Sequence, residues 1–349
     1  MSEDLSQIAE RTNMFLEAGQ AAEVVARQLL ESRQAVEEAA RMVRKKNPRF
    51  ALFCARGSSD HATTYAQYQI ERYLGISASS FTPSTSSVYD APLDLGEAVF
   101  FVVSQSGRSP DIIAAAESAK KAGALVISIV NMPESPLVDI SDGVVPICAG
   151  KECSVAATKT FIGTLAVLAS LIAQWSGDAD LKNAIDTLPE YLAAAWKLDW
   201  SEATEILVAS QSLFTLGRGP GLAVAQEAAL KFKETSGLHA EAFSVAEVSH
   251  GPMAISGAGF PILAFIQHDE SREQFEMAIN DFILRRAQVI VAGGQFPGAI
   301  NLPRIENVHS AIEPILYIQS FYRLANRVAI LRGSDPDRPP FLNKITETI

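Results

Sequence analysis

The sequence predicts an α/β protein built from two doubly wound parallel-sheet subdomains, with helices on both faces of each sheet. Short, continuous apolar runs, such as 98–103 and 124–130, alternate with helical patterns along the 349 residues. Strands that are apolar along their whole length are typical of parallel sheets covered on both faces. The order strand, Arg-Gly, small residues, helix occurs at 56–57 and again at 218–219, which indicates two halves of similar topology.

The first half begins with helices and continues with alternating strands and helices. Residues 5–46 carry apolar positions at helical spacing and predict two amphipathic helices. The elements predicted after them are strand 50–55, helix 61–74, strand 98–103, helix 110–122, strand 124–130 and strand 143–148. The apolar stretch 161–175 is shorter than the ~20 residues that a membrane span needs, and it predicts a buried core helix.

The second half repeats this order. Its predicted elements are a helix through Trp196, strand 213–216, a long helix, strands 261–266 and 288–292, and a last helix that begins at Pro314 and ends before Gly333. We predict N-terminal helices over 1–48, a first subdomain over 49–185, a second over 186–333 and a C-terminal tail over 334–349.

The composition argues against several classes of function. The net charge of -11 argues against nucleic acid and anionic membranes as binding partners. The cysteines at positions 54, 148 and 153 lack metal-ligand spacing and predict reduced, buried thiols. The acidic N-terminus is unlike a signal or transit peptide. We therefore expect a cytoplasmic protein that uses no metal and no cofactor.

Hydroxyl side chains and a glycine follow the third predicted strand, at "SQSGRS" (104–109). In a doubly wound sheet, ligands bind beyond the carboxyl ends of the strands, where the next helix begins. Unpaired amide groups at a helix start attract anions, and Gly107 lets the backbone approach a ligand. The loop therefore suits a phosphate, with Ser58, Ser59 and Thr158 as further donors. An ordinary helix cap and turn is the alternative.

A second polar stretch, 227–252, carries carboxylates, a lysine and imidazoles. Glu227, Lys231 and Glu234 fall at i, i+4 and i+7 and share one face of a helix. The turn "SHGP" that follows is able to project His250. Carboxylate and imidazole together move protons on a sugar, because one group opens the ring and the other carries a proton between carbons. A solvated, salt-bridged helix face is an equal alternative.

These stretches together resemble the SIS (sugar isomerase) family. The motifs are "RGSSDHA", "SQSGRSPD", "SVAATK", "LGRGP…QEAALKFKE", "HAEAF…E…HGP" and "LNK", in the family's order over Arg49 to Lys344. Within the family, the sequence is similar to the isomerase half of glucosamine–fructose-6-phosphate aminotransferase and to stand-alone amino-sugar-6-phosphate deaminases. The resemblance implies a flavodoxin-like form of the doubly wound fold.

The resemblance assigns the polar loops to a sugar-phosphate substrate. It implies that the phosphate is bound by Ser59, Ser104, Gln105, Ser106 and Ser109. It implies that the sugar is lined by Gly57, Ser58, Val155, Ala156 and Thr158.

The resemblance also assigns the chemistry. Glu234 matches the base that moves a proton between C1 and C2, and Lys231 matches a helper beside it. His250 matches the ring-opening histidine, which in the family reaches into the neighbouring subunit's site and implies a homodimer. Lys344 matches a tail lysine that contacts the sugar and is able to form an imine with its open-chain form. Ala157 departs from the serine of the synthase relatives, and the tail keeps the family's Leu-x-Lys core without its flanks.

The resemblance implies the deamination of glucosamine 6-phosphate to fructose 6-phosphate and ammonia. The aminotransferase has a glutamine-hydrolysing domain with an N-terminal cysteine nucleophile, whereas the first cysteine here is Cys54. We therefore expect ring opening, proton transfer from C2 to C1, and hydrolysis of the resulting imine.

Other functions remain open from the sequence. A fructosamine-6-phosphate deglycase, a galactosamine-6-phosphate deaminase/isomerase or another aldose–ketose phosphosugar isomerase would use the same phosphate loop, Glu234 and His250. A non-catalytic sugar-phosphate sensor would need no such Glu–His pair and would carry a DNA-binding helix-turn-helix, which the acidic residues 1–48 do not indicate.

Overall fold

The computed structural model describes residues 5–89, 91–342 and 344. Residues 343 and 345–349 of the predicted tail therefore lie outside the described part of the chain. The chain divides into two compact units. The first unit comprises residues 23–152 and 159–187, and the second comprises 5–22, 153–158, 188–342 and 344. The subdomain boundaries expected from the sequence stay a prediction.

Strands and helices alternate through most of the described chain. The strands are β1 (Phe50–Cys54), β2 (Ser77–Ser80), β3 (Ala98–Ser104), β4 (Leu125–Val130), β5 (Gly143–Pro146), β6 (Ser212–Gly217), β7 (His239–Ser244), β8 (Pro261–Phe265), β9 (Gln288–Ala292) and β10 (Ile300–Leu302). The helices are α1 (Leu5–Ala9), α2 (Asn13–Gly19), α3 (Ala21–Glu31), α4 (Arg33–Lys46), α5 (Ser58–Leu74), α6 (Ser84–Ser87), α7 (Pro110–Lys121), α8 (Pro136–Ile140), α9 (Lys159–Ser176), α10 (Ala179–Asp186), α11 (Leu188–Ala195), α12 (Thr204–Ala209), α13 (Gly221–Ser236), α14 (Val245–Val248), α15 (Arg272–Leu284) and α16 (Glu313–Leu331).

Each unit contains a parallel five-stranded sheet with helices on both faces. The first sheet has the strand order β2-β1-β3-β4-β5, and the second has the order β7-β6-β8-β9-β10. Counted within each unit, the two orders are the same. The predicted fold class, an α/β protein with two doubly wound sheets, is therefore confirmed.

The middle strands form the apolar core of each unit. All seven residues of β3 and all five of β8 are buried. In the first unit, Phe100 belongs to an apolar cluster with Ile112 of α7. In the second unit, Ile262 belongs to a cluster with Phe275 and Phe282 of α15. Burial on both faces explains why these strands read as continuous apolar runs.

Helix α9 is the buried helix predicted from the apolar stretch 161–175. Almost all of its residues are buried, including the large side chains Phe161, Leu165 and Trp175. Among the helices of the described residues, none combines the length and the apolar character needed to cross a bilayer.

Several sequence predictions need correction. Residues 5–46 form four helices rather than two. A new helix begins, for example, after Thr12, whose Oγ1 accepts a hydrogen bond from the Phe15 amide at 3.2 Å. The breaks between the helices do not disturb the period of the apolar residues, so this period did not reveal them. The outer strands β2, β7 and β10 were not predicted, since they are short or polar. Of the cysteines, only Cys54 is fully buried, whereas Cys148 is partly exposed and Cys153 is exposed.

Candidate active site

The polar loop after β3 is folded around its own serines. Ser104 Oγ accepts a hydrogen bond from the Gly107 amide at 3.0 Å, and Ser106 Oγ accepts one from the Arg108 amide at 3.3 Å. Gly107 has a φ of 61°, and a Cβ at this position would lie 2.2 Å from Ser135 Oγ. Glycine is therefore required for the loop to take this shape.

Two helix N-termini lie at the carboxyl ends of β1 and β3, which are neighbours where the strand order reverses. Helix α7 begins after Ser109 and α5 begins after Gly57, and neither residue caps its helix through a side chain. Helix α5 begins three residues earlier than predicted, so Ser58 and Ser59 lie in its first turn. First-turn amide groups and the helix dipole favour an anion here. The first unit thus gathers the predicted phosphate positions at one edge of its sheet.

An ion pair that was not predicted joins these two loops. Arg56 donates from Nε and Nη2 to Asp111 Oδ2 at 3.0 and 2.8 Å, and the Asp111 side chain is only 1% exposed. Asp111 lies in the first turn of α7, where a carboxylate also stabilises the helix start. The two residues are 55 positions apart, so no local pattern indicates the pair.

Gln105 is tied to the region before α9. Its Nε2 donates to Glu152 Oε2 at 3.3 Å, and Glu152 Oε1 accepts from the Thr160 amide at 3.3 Å. Glu152 is buried. The orientation of Gln105 is therefore set by a buried acid, and its contact with a phosphate stays a prediction.

Three charged residues meet on α13 in the second unit. Lys231 Nζ lies 2.5 Å from Glu234 Oε2 and 3.4 Å from Glu227 Oε1. The side chains of Glu227 and Lys231 are 0% and 1% exposed, whereas that of Glu234 is 21% exposed. The predicted helix face is therefore a buried charge cluster rather than a solvated stripe, and Glu234 is its member that reaches solvent.

Lys231 is a fixed cation between two carboxylates. Burial alone would lower its pKa, but the Glu227 and Glu234 carboxylates outweigh burial and raise the pKa above its ordinary value. Lys231 therefore stays protonated at neutral pH and holds Glu234 in one orientation through a charge-assisted hydrogen bond.

Two residues of this cluster were not assigned a role from the sequence. Glu227 was recognised only as part of the helix face, and Tyr322 of α16 was not considered. The Tyr322 hydroxyl donates to Glu227 Oε1 at 3.1 Å across 95 positions of the sequence. The Glu-Lys-Glu spacing was the available signal for Glu227, whereas no local signal points to Tyr322.

His250 lies on the surface, in the turn after α14. Its amide donates to the Glu247 carbonyl at 2.9 Å, and the next residue, Gly251, has a φ of 140°. Within the described part of the chain, no hydrogen bond or ion pair joins the His250 side chain to Glu234. The structure therefore does not bring these two predicted catalytic groups into contact, and the role of His250 across a homodimer stays a prediction.

The tail lysine contacts the segment predicted to line the sugar. Lys344 Nζ donates to the Ser154 carbonyl at 2.6 Å. Of the residues that follow, Val155 is half-buried, and Ala156 and Thr158 are buried. The second unit therefore joins Lys344 to the residue that directly precedes Val155. Their contacts with a sugar stay predictions.

Comparison with known proteins agrees with these features. The SIS domain model matches residues 45–174 and 206–291, which include the loop after β3 and the cluster on α13. A structure from Silicibacter pomeroyi DSS-3, assigned as a phosphosugar isomerase, has a TM-score of 0.90 and 43% identity, covering 93% of this chain and 100% of that one. The C-terminal domain of glucosamine-fructose-6-phosphate aminotransferase from Francisella tularensis has a TM-score of 0.85 and 26% identity, covering 94% and 98%.

A full-length relative extends the comparison. The glutamine–fructose-6-phosphate aminotransferase of Zymomonas mobilis subsp. mobilis is 32% identical over 311 residues, which are 83% of this chain and 50% of the relative. The chain spans about half the length of the curated relatives that it matches. The family model, in contrast, matches more than half of this chain. The chain therefore belongs to the SIS domain family.

Proposed function

We propose that the chain is a phosphosugar isomerase that deaminates an amino-sugar 6-phosphate, with glucosamine 6-phosphate as substrate and fructose 6-phosphate and ammonia as products. The family and the assignment of the Silicibacter relative support the isomerase chemistry. The names of the aminotransferase relatives support a six-carbon sugar phosphate that exchanges an amino group. The observation that carries the proposal is the partly exposed Glu234 carboxylate, held at 2.5 Å by the buried Lys231.

The phosphate is assigned to the loop after β3. Its serines, its glycine and the starts of α5 and α7 provide neutral donors and helix dipoles, so an anion is bound locally in spite of the net charge of -11. Binding through the 6-phosphate fixes the sugar and leaves C1 and C2 free to react. Such fixed geometry supplies a large share of the rate of an intramolecular step.

The proton transfer is assigned to Glu234. After His250 assists ring opening, Glu234 takes the proton from C2, O1 takes a proton from water, and the electrons of the C2–H bond form a C1=C2 enol. Glu234 then returns the proton to C1 while the C2 amine loses a proton to water, which gives the C2 imine. Water hydrolyses this imine to the ketone of fructose 6-phosphate and releases ammonia. Because Lys231 remains charged and fixed, it orients the carboxylate through both proton transfers.

Ammonia release from a panel of 6-phosphorylated sugars tests this proposal. We expect equal amounts of ammonia and fructose 6-phosphate from glucosamine 6-phosphate, and neither from glucosamine that lacks the phosphate. The control is Glu205→Gln, an exposed carboxylate on α12, which should keep wild-type activity while Glu234→Gln loses it. Turnover of fructosamine 6-phosphate alone would reassign the chain as a deglycase, and silence with every sugar phosphate would contradict the proposal.

A further inference from the structure

Glu17 on α2 is a buried carboxylate that accepts hydrogen bonds from backbone amides. Its Oε1 accepts from the Cys153 amide, and its Oε2 accepts from the Ser154 amide at 3.0 Å. The residue is 7% exposed. One carboxylate thus holds two consecutive peptide groups with charge-assisted hydrogen bonds, one on each oxygen.

The Ser154 peptide group is held from both sides. Its amide donates to Glu17, and its carbonyl accepts from Lys344 Nζ at 2.6 Å. Ser154 Oγ is buried and has no hydrogen-bond partner among the described residues. The position of this segment is therefore fixed through its backbone and not through the serine side chain.

Helix α2 is itself held firmly enough to act as a support. It has seven residues, too few for stability without tertiary contacts. The Asp337 carboxylate accepts from the first two amides of α2, Asn13 at 2.7 Å and Met14 at 2.8 Å. At the other end, Gln319 Nε2 donates to the Ala18 carbonyl at 3.0 Å. Glu17 therefore projects from a helix that is anchored at both ends.

We propose that Glu17 is a positioning residue, which holds the Ser154–Ala156 backbone against the sugar and keeps the Ser154 carbonyl in place for Lys344. The role at the sugar rests on the proposed function. Val155 and Ala156 directly follow the two amides that Glu17 binds, so a shift at Ser154 moves both of them. A displacement of about 1 Å at a substrate-positioning element is enough to cost about 100-fold in rate.

A graded series of variants tests this role. Glu17→Ala removes both acceptors, while Glu17→Gln keeps one carbonyl oxygen and the side-chain length. We expect kcat/KM on glucosamine 6-phosphate to fall about 100-fold in Glu17→Ala and by a smaller factor in Glu17→Gln. The inhibition constant of inorganic phosphate should stay at its wild-type value, because the loop after β3 binds phosphate without Glu17. Glu23→Ala is the matched control, since it removes an exposed carboxylate from α3 and leaves both peptide contacts intact, and it should behave as wild type.

Amide hydrogen exchange gives a second readout that needs no activity. In Glu17→Ala, exchange should become faster in peptides that cover 151–160, while peptides from β8 and α15 keep their wild-type rates. This measurement separates the two claims: an inactive wild-type protein would remove the proposed function, and the exchange data would still decide whether Glu17 holds the segment. Unchanged exchange at 151–160, a uniform rise over the whole chain, or wild-type kcat/KM in an active Glu17→Ala protein would each overturn the proposal.

Discussion

The loop after β3 and the loop after β8 occupy the same place in two sheets of the same strand order, but their side chains form different hydrogen bonds. After β3, small hydroxyl residues surround Gly107, and Ser109 leaves the start of α7 without a side-chain cap. After β8, Gln267 Oε1 accepts from the Gly221 amide at the start of α13 at 2.6 Å, and Asp269 accepts from Ser271 at 2.6 Å. At the start of α13, the Gly221 amide is therefore occupied by the chain's own Gln267 side chain, whereas Ser271 before α15, like Ser109 before α7, makes no side-chain cap.

The loop after β8 is further closed around a buried carboxylate. Glu313, which is 1% exposed, accepts from the His268 amide at 2.7 Å, from Tyr317 Oη at 2.8 Å and from Arg304 Nη1 at 3.3 Å, and its Oε1 lies 2.6 Å from His268 Nδ1. Burial and the neighbouring Glu313 charge raise the pKa of Tyr317 well above its ordinary value. This loop is therefore held by an internal hydrogen-bonded network around Glu313.

The shared topology of the two sheets therefore repeats the place of a candidate ligand site but not its side chains. Both sheets present loops at the point where the strand order reverses. Serines and a glycine at this point leave donors for a phosphate, whereas Gln267, Asp269 and Glu313 bring acceptors and negative charge. The identity of a few loop side chains decides between binding and structure.

The largest expected effect on activity comes from placing a negative charge, like those in the loop after β8, in the loop after β3. Ser106→Asp keeps an acceptor for the Arg108 amide but places a carboxylate beside the proposed position of the phosphate. Two unit charges about 4 Å apart repel by about 4 kcal/mol near a protein surface, so we expect kcat/KM on glucosamine 6-phosphate to fall at least about 100-fold. Ser106→Asn introduces a neutral side chain of the same size as aspartate, and its kcat/KM should fall far less. Equal losses in the two variants would mean that charge is not what separates the loops.

A smaller effect, on stability alone, is expected in the second loop. Glu313→Gln replaces one acceptor oxygen of the network by an amide NH2 group, which faces donors and accepts nothing from them. This change should lower the free energy of unfolding by about 3 kcal/mol. Urea unfolding measures this loss, and Glu273→Gln, an exposed carboxylate on α15, is the control. The inhibition constant of inorganic phosphate should not change. Weaker phosphate binding in a folded Glu313→Gln protein would contradict a purely structural role for this loop.

The smallest effect concerns Asp60, an acid in the first turn of α5. Burial raises its pKa above the ordinary value of 3.8. The protonated form is therefore favoured in the folded state, and the ionised group reduces stability as pH rises through the raised pKa. We expect Asp60→Asn to unfold at a higher temperature than wild type at pH 7, with the difference narrowing as the pH falls towards 3.8.

Asp180 provides the matched control for this pH dependence. It is exposed in the first turn of α10, where the charge of a carboxylate interacts favourably with the helix dipole and stabilises the helix. Asp180→Asn should therefore lower the unfolding temperature slightly at pH 7, opposite to Asp60→Asn. A lower unfolding temperature in both variants would show that the Asp60 charge is not destabilising.

The fold could be predicted where a strand is buried on both faces, because such a strand is a continuous run of apolar residues. Strands β3, β4, β8 and β9 were found for this reason, whereas β2 ("SASS") and β7 ("HAEAFS") were missed because outer strands tolerate polar residues. In the N-terminal region, the amphipathic period runs through the breaks between helices, so their number could not be counted from it.

The candidate site could be predicted where its residues are close in sequence. The loop after β3 and the Glu-Lys-Glu spacing on α13 are local patterns, and the structure places them as loop and buried cluster. Asp111, Tyr322 and Glu17 were not identified because their partners lie 55, 95 and about 137 positions away. Contacts of this kind form only when distant segments pack together, so no single stretch of sequence indicates them.

Glucosamine 6-phosphate that carries deuterium at C2 tests directly whether Glu234 moves a proton on a sugar held by its phosphate. Magnetic resonance follows the label as it leaves C2 for C1 or for water. We expect the wild type and Glu205→Gln to remove it as fast as fructose 6-phosphate forms, and Glu234→Gln to remove it at least about 100-fold more slowly. Removal at the wild-type rate by Glu234→Gln would contradict the claim.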